Sequence, residues 1–277
     1  MCFFFFLEYT MQKRGFNVKG MTTVAFDIGS CFTKVYFGGD TPGRRVFKTP
    51  LGLRKLKERF DITLESAVLD YFLRRLCSAV GLLESCKRIE VLVSPGDYSL
   101  FTQYVLRWLA SASLSRLPIV VDGPSWLLKA HGMTDGCVVD IGYQATRVVP
   151  ILSSIPVVEA ITIGSGTREF LALSAEGWLT SSEAISPSSS SSSSQLQGLL
   201  IEMSQCIFVL LEEAVAHCNA HTQRPFVSAV FLLTGGGVAV EGIVKGIQSS
   251  VLKMWPNSHL FFAETASPVL WSLSLNS

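Results

Sequence analysis

The chain has 277 residues with a formal net charge of +1, and 48% of the residues are apolar while 16% are charged. This length suits one large or two ordinary domains, and the balanced charge gives no basic field for binding nucleic acid. Because every long apolar run is interrupted by Arg, Glu, Gly or Ser, the sequence predicts no transmembrane span and no direct membrane contact. Seven scattered cysteines without a C-x-x-C pair indicate a reducing cytoplasm.

Residues 1–20 are expected to form no part of the folded chain. Their apolar run precedes Lys13 and Arg14, whereas a secretory signal places its positive residues first. The segment is interpreted as a disordered leader or a gene-model artefact, with the true start at Met21.

A β-hairpin is predicted for residues 23–39, TVAFDIGSCFTKVYFGG, with its turn at Gly29. Glycine is expected there because such turns often need a positive φ. Strands and helices then alternate, which predicts α/β layers around a largely parallel sheet with antiparallel hairpins at its edge. The further elements predicted in this first lobe, residues 21–134, are a strand at 44–49, a helix at 64–83, a strand at 88–93, a helix at 98–112, a strand at 117–122 and a short helix from Pro124 to Gly132.

A second lobe, residues 135–277, is expected to repeat the plan. It opens with GCVVDIGYQATRVVPIL at residues 136–152, which predicts a second hairpin with the same Asp-Ile-Gly turn. The Ser-rich segment at about 181–194 predicts a disordered linker, because it cannot bury apolar area to offset the entropy of ordering. The other predicted elements are a strand at 155–162, a helix after the glycines of IGSGTREFL, a helix at 196–221, a strand in FVSAVFLLT, a turn in GGGVAVEG, a helix at 241–254 and a strand in HLFFAE.

The two hairpin turns and the later glycine turn together predict a nucleotide cleft. An Asp that leaves a strand into a glycine turn is by itself ordinary turn chemistry, yet Asp27 and Asp140 recur in the same context. Two facing hairpin turns can present backbone N–H groups to phosphates, while the aspartates hold Mg²⁺ through water. The glycines at 235–237 would let the backbone approach the sugar and base closely.

These three elements resemble the actin, Hsp70 and sugar-kinase superfamily, and actin-related proteins most closely. Within that set, FTK after the first loop, DIGYQ as the second loop and SIPVVEAITIGSG resemble the type at the pointed end of dynactin. The resemblance implies an α/β, actin-like (ribonuclease H-like) two-lobed fold, with ATP or ADP bound and Mg²⁺ held through water by Asp27 and Asp140. The nucleotide-binding residues that it implies are Asp27, Gly29, Ser30, Cys31, Lys34, Asp140, Gly142, Tyr143, Gln144, Gly235, Gly236 and Gly237.

Departures from actin predict a protein that is not an enzyme. Actins position the attacking water with a Gln on the short helix before the second loop and a His just after that loop. Here the helix GPSWLLKAH has no Gln and the His position holds Arg147, so very slow hydrolysis or none is expected. Ile28 and Cys31 replace small or polar residues of the first loop, and Tyr143 adds a ring to the second, so the nucleotide site is either retained or vestigial.

The resemblance also implies a role in capping a filament. Actins build outer subdomains where this chain has only the short segments 50–64 and 170–196. Reduced outer subdomains on the pointed-end face predict a subunit that caps the pointed end of the dynactin filament, in the cytoplasm and at the cytoskeleton, in support of dynein-dependent microtubule transport. Its expected partners are actin-related filament subunits and other pointed-end subunits of dynactin.

Two alternatives remain open at this point. One is an actin-related subunit of a chromatin-remodelling complex, and the other is a sugar or small-molecule kinase of the same superfamily. Actins also return to the first lobe after their last strand, whereas this sequence stops at Ser277. The isolated chain is therefore expected to be poorly soluble or dependent on a partner.

Three further groups of residues carry weaker signals. His217 and His221 lie one helical turn apart with Cys218 between them, but they lack a third ligand, so a solvated helix end is preferred over zinc. Ser165 lacks the G-x-S-x-G spacing of a nucleophile. A solvated face is the interpretation of the basic cluster Arg74, Arg75, Lys87 and Arg88.

Overall fold

The computed structural model describes residues 21–39, 43–50, 53, 66–80, 86–95, 100–112, 117–170, 191–223, 230–239 and 241–263. The predicted leader, most of the two segments implied to replace outer subdomains, and the end of the chain lie outside these residues. In the described part of the chain, no helix combines the length and the apolar character that a membrane span requires.

The first half forms a five-stranded sheet in the order β3-β2-β1-β4-β5. Its elements are β1 (Met21–Ile28), β2 (Phe32–Gly39), β3 (Gly43–Lys48), α1 (Ser66–Val80), β4 (Arg88–Val93), α2 (Leu100–Ala112), β5 (Ile119–Asp122) and α3 (Gly123–Ala130). The first three strands are antiparallel, while β4 runs parallel to β1 and β5 runs parallel to β4. The predicted hairpin and its neighbouring parallel strands are therefore confirmed.

The short helix α3 follows β5 without a loop because its first turn is well capped. The side chain of Asp122 accepts a hydrogen bond from the backbone N–H of Ser125 at 2.8 Å. Pro124 lies in the first turn, where its missing N–H leaves no helical hydrogen bond unmade. This connection carries the chain from the first sheet to the second.

The second half forms a sheet with the same strand order and directions. Its elements are β6 (Gly136–Ile141), β7 (Ala145–Leu152), β8 (Ile155–Pro156), β9 (Thr162–Ser165), α4 (Ser191–Thr222), β10 (Val230–Thr234), α5 (Glu241–Met254) and β11 (His259–Phe262). The path β9-β7-β6-β10-β11 matches β3-β2-β1-β4-β5, with antiparallel pairs followed by parallel ones. The repeat seen in the two hairpin sequences thus extends to the topology of both sheets.

Two predicted elements of the second half are wrong in detail. The single strand expected at 155–162 is split, because Ser153 and Ser154 turn at positive φ and pair Ile155 with Leu152 at the far end of β7. A short 3₁₀ turn then returns the chain, and β9 pairs with the beginning of β7 instead. The helix α4 begins at Ser191 rather than at residue 196, so the last four serines of the predicted linker are helical. An established helix adds turns at little cost once it is nucleated, which overrides the low helix propensity of Ser.

Strand alternation divides most of the buried apolar residues between three large clusters. Val24 and Phe26 of β1 pack with α1 and α2 in one cluster, and Val139 of β6 packs with α4 and α5 in another. The residues between them point the opposite way, because successive side chains of a strand alternate between faces. Ala25 and Val138 accordingly meet in a third cluster, to which both sheets and α3 contribute. We refer to it as the shared cluster.

Candidate functional site

The two Asp-Ile-Gly turns have the same internal geometry. The N–H of Gly29 donates to the carbonyl of Phe32 at 3.1 Å, and the N–H of Gly142 donates to the carbonyl of Ala145 at 3.1 Å. The predicted reason for these glycines is wrong, since neither is among the glycines at positive φ. A Cβ at Gly29 would lie 2.6 Å from the Phe32 oxygen, and one at Gly142 would lie 2.7 Å from the Ala145 oxygen. Close approach of the loop backbone, not an unusual φ, requires glycine in both turns.

The tips of the two loops meet directly. The hydroxyl of Ser30 donates to Oε1 of Gln144 at 2.8 Å, although the two residues belong to different sheets. The first loop is also anchored by a second hydrogen bond, in which the Thr49 hydroxyl donates to the carbonyl of Gly29 at 2.9 Å. Cys31 and Tyr143, the other predicted residues of the tips, are both half-buried. The structure therefore brings together the two loops that the sequence predicted to face each other.

The charged residues of the site lie on the face that carries the shared cluster. Asp27 and Asp140 each follow a residue of that cluster by two positions on the same strand, so their side chains share its face. Lys34 pairs with Asp27 across the first hairpin, and its Nζ lies 3.8 Å from Oδ2 of that carboxylate. Arg147 occupies the same register position opposite Asp140 in the second hairpin.

The third glycine turn packs against the second loop. Gly235 has a φ of +94°, and a Cβ there would lie 2.5 Å from the Ile141 carbonyl oxygen and 2.6 Å from Oδ1 of Asp140. A Cβ at Gly237 would collide with the side chain of Ile141. Gly236 differs from both, because a Cβ there meets nothing within 4 Å. Two of the three predicted glycines thus have a packing role beside Asp140, and the middle one is exposed.

One part of the site was missed by the sequence analysis. After β9, the backbone N–H groups of Thr167 and Arg168 donate to the carbonyls of Gly142 and Tyr143 at 3.0 and 2.9 Å. A Cβ at Gly166 would lie 2.5 Å from the Tyr143 oxygen, so only glycine fits there. The available signal was a glycine between a predicted strand and a predicted helix in IGSGTREFL, but that glycine was not predicted to belong to the site.

The helix α3 contributes apolar side chains to the shared cluster. Trp126, Leu127 and Leu128 are buried there. The indole Nε1 of Trp126 donates to Oε2 of buried Glu90 at 3.1 Å, and Nε of Arg88 lies 2.8 Å from Oε1. Burial raises the pKa of Glu90, while Arg88 and Trp126 act in the opposite direction. These contacts fasten α3 to β4.

The donor set suits Mg²⁺ better than a metal that needs protein ligands alone. Asp27 and Asp140 supply two hard carboxylates, and Mg²⁺ is usually bound by one or two carboxylates together with waters and phosphate oxygens. Among the described residues, no three His, Cys, Asp or Glu side chains come together as a metal-binding group. At the weak zinc candidate, Cys218 is buried in the core, and Nε2 of His221 lies 3.6 Å from Oε2 of Glu159.

The remaining weak candidates have ordinary surroundings. Ser165 is exposed, and its carbonyl accepts a hydrogen bond from the Thr146 hydroxyl at 2.9 Å. All four residues of the basic cluster are exposed. Arg74 pairs with Asp70 on the same helix at 2.9 Å, whereas Arg88 also serves as the ion-pair partner of Glu90.

The structure is similar to the crystal structure of the ethanolamine utilization protein EutJ from Carboxydothermus hydrogenoformans. The match has 15% sequence identity and a TM-score of 0.56, and it covers 91% of this chain and 88% of that chain. No protein-family model and no curated protein matches the sequence. The comparison confirms the predicted fold class, a two-lobed, actin-like α/β fold.

Proposed function

We propose that the two loops bind the phosphates of ATP or ADP with Mg²⁺, and that the chain is a non-catalytic actin-related subunit that caps the pointed end of the dynactin filament. The observation that carries the nucleotide part is the meeting of two congruent glycine loops at Ser30 and Gln144, with Asp27 and Asp140 on the face beside them. Loops of closely spaced backbone N–H groups form anion-binding concavities, and the paired carboxylates supply ligands for the accompanying cation.

The absence of catalysis is inferred from what surrounds the second loop. Hydrolysis of a terminal phosphate requires a group that orients the attacking water. The described side chains of α3 nearest the shared cluster are apolar, and the position after the second loop holds Arg147, whose guanidinium donates hydrogen bonds and offers no acceptor to an attacking water. The site is thus suited to holding a nucleotide rather than turning it over.

The capping role follows from the resemblance of FTK, DIGYQ and SIPVVEAITIGSG to the dynactin type of actin-related protein. A subunit whose pointed-end face lacks the outer subdomains would bind the last protomer of a filament and admit no other. Cytoplasmic localisation at the cytoskeleton and binding to actin-related filament subunits belong to the same proposal.

Binding is tested by thermal melting and calorimetry of the purified chain with ADP or ATP and Mg²⁺. At a ligand concentration 100 times Kd, the folded state gains about 2.7 kcal/mol, which raises Tm by about 5–10 °C for a chain of this size. Asp140→Asn should abolish most of this rise, while the control Asp70→Asn, on α1 away from the loops, should keep it. No heat and no shift at millimolar nucleotide would refute binding.

The capping role is tested by affinity purification of the tagged chain from cells. Recovery of dynactin and dynein subunits is the expected result. Recovery of chromatin-remodelling subunits without dynactin would favour the first alternative, and turnover of ATP that depends on an added metabolite would favour a kinase. Either outcome contradicts the proposal.

A further inference from the structure

The two hairpins place a cation at the same position opposite each aspartate. In the first hairpin the register pairs Asp27 with Lys34, and in the second it pairs Asp140 with Arg147. The registers match residue by residue, since Ile28 pairs with Thr33 as Ile141 pairs with Thr146. Arg147 is therefore the structural counterpart of Lys34 in the repeat.

Both cations lie on the face where the two sheets share a cluster. Two positions further along their strands, Tyr36 and Val149 belong to the shared cluster, so alternation puts Lys34 and Arg147 on that same side. The side chain of Lys34 is only 15% exposed. Arg147 is half-buried, and its Nε is wholly covered by protein. Neither cation is an ordinary solvated surface residue.

The ammonium of Lys34 and the guanidinium of Arg147 would bind a phosphate chain in two different ways. A guanidinium presents a planar fork that matches phosphate oxygens in pairs, whereas an ammonium acts as a point charge. Two carboxylates and two cations leave the pair of hairpins close to neutral, and each carboxylate already has a cation opposite it. An anionic ligand between the loops would then meet no net repulsion, and it could contact one cation from each sheet before any metal ion is added.

We propose that Arg147 is a phosphate-binding residue contributed by the second sheet, and that it lowers the dependence of nucleotide binding on Mg²⁺. The inference rests on the proposed nucleotide site and deepens it, because it identifies the ligand as one that presents at least two phosphates to cations on opposite sides. Such a ligand is a nucleoside diphosphate or triphosphate, or pyrophosphate itself.

The test measures Kd for ADP and for pyrophosphate by calorimetry, in Mg²⁺ and in EDTA. Removing a hydrogen-bonded charge from a phosphate contact weakens binding by about 10-fold to 100-fold. Arg147→Gln should therefore weaken both ligands at least about 10-fold, and by a larger factor in EDTA than in Mg²⁺. Arg147→Lys should recover part of the loss because it keeps the charge, and the exposed control Arg107→Gln on α2 should leave Kd unchanged.

Each other result contradicts one of the two proposals. If the unaltered chain binds ADP and Arg147→Gln binds it within 2-fold, Arg147 does not contact phosphate, and the nucleotide site stands without it. If Arg147→Gln and Arg147→Lys lose the same affinity and melt at the same lowered temperature without ligand, Arg147 acts through packing and the inference fails. If the unaltered chain binds neither ligand, the proposed function itself fails.

Discussion

Gly235→Ala should destabilise the fold and disrupt the candidate site together. An L-residue in the left-handed region costs about 1–2 kcal/mol, and Gly235 has a φ of +94°. The new Cβ would also lie 2.5 Å from the Ile141 carbonyl oxygen and 2.6 Å from Oδ1 of Asp140, and relieving such overpacking costs about 1–3 kcal/mol. The free energy of unfolding should therefore fall by about 2–5 kcal/mol, and Asp140 should be displaced.

The neighbouring glycine provides the matched control. Gly236 is exposed, it is not among the residues at positive φ, and a Cβ there meets nothing within 4 Å. Gly236→Ala should change stability by less than about 1 kcal/mol, with a gain where the alanine restricts the unfolded chain. Denaturant unfolding of both variants measures the difference, and the melting shift with ADP reports on Asp140. Equal stability of the two variants would refute the argument that the third glycine turn packs against the second loop.

Three further perturbations have defined outcomes. Gly166→Ala should lower the free energy of unfolding by about 1–3 kcal/mol, because the new Cβ would collide with the second loop. The control Gly198→Ala on α4 should raise the free energy of unfolding by up to about 1 kcal/mol. Chemical denaturation curves that rank the two variants the other way would contradict the contact between Gly166 and the second loop. Burial raises the pKa of Glu90. The stability that protonation of Glu90 contributes is therefore present at acid pH, and it is lost as the pH rises from about 4.3 through the raised pKa. Glu90→Gln should flatten this part of the plot of stability against pH, and an unchanged slope would contradict the role of Glu90. A double-mutant cycle of Ser30→Ala and Gln144→Ala should give a coupling of about 0.5–1.5 kcal/mol, and additive effects would show that the loop tips do not bond in solution.

Local patterns were sufficient for most of the secondary structure. The bounds of β4 and α5 agree with the sequence to the residue, because apolar alternation and helical spacing are properties of a short segment. The prediction of one strand at 155–162 was wrong because the structure there depends on contacts outside the segment. Its division depends on the turn at Ser153 and on which end of β7 each piece pairs with, and neither is visible in the apolar pattern of the segment itself.

The prediction of the candidate site had the same limit, because a local pattern does not contain contacts between distant residues. The repeated Asp-Ile-Gly phrase was enough to predict that two loops belong to one site, but it gave the wrong reason for the glycines. Their requirement comes from a carbonyl three residues later in the same loop, which depends on how tightly the turn closes. Gly166 was missed because its constraint comes from Tyr143, and the bond between Ser30 and Gln144 joins residues of different sheets. Such contacts exist only once the chain has folded.

Each loop is anchored by residues of its own half of the chain, and this bears on where a ligand would act. The second loop is held by amide hydrogen bonds from Thr167 and Arg168 and by the close packing of Gly235, all from the second half of the chain. The first loop is held by Thr49, which directly follows β3 in the first half. The hydrogen bond from Ser30 to Gln144 joins loops that belong to different halves of the chain, so it must lengthen if the loop tips move apart. A phosphate chain that entered between the tips would exchange this bond for bonds to both loops, so that occupancy of the site and separation of the loop tips would be coupled.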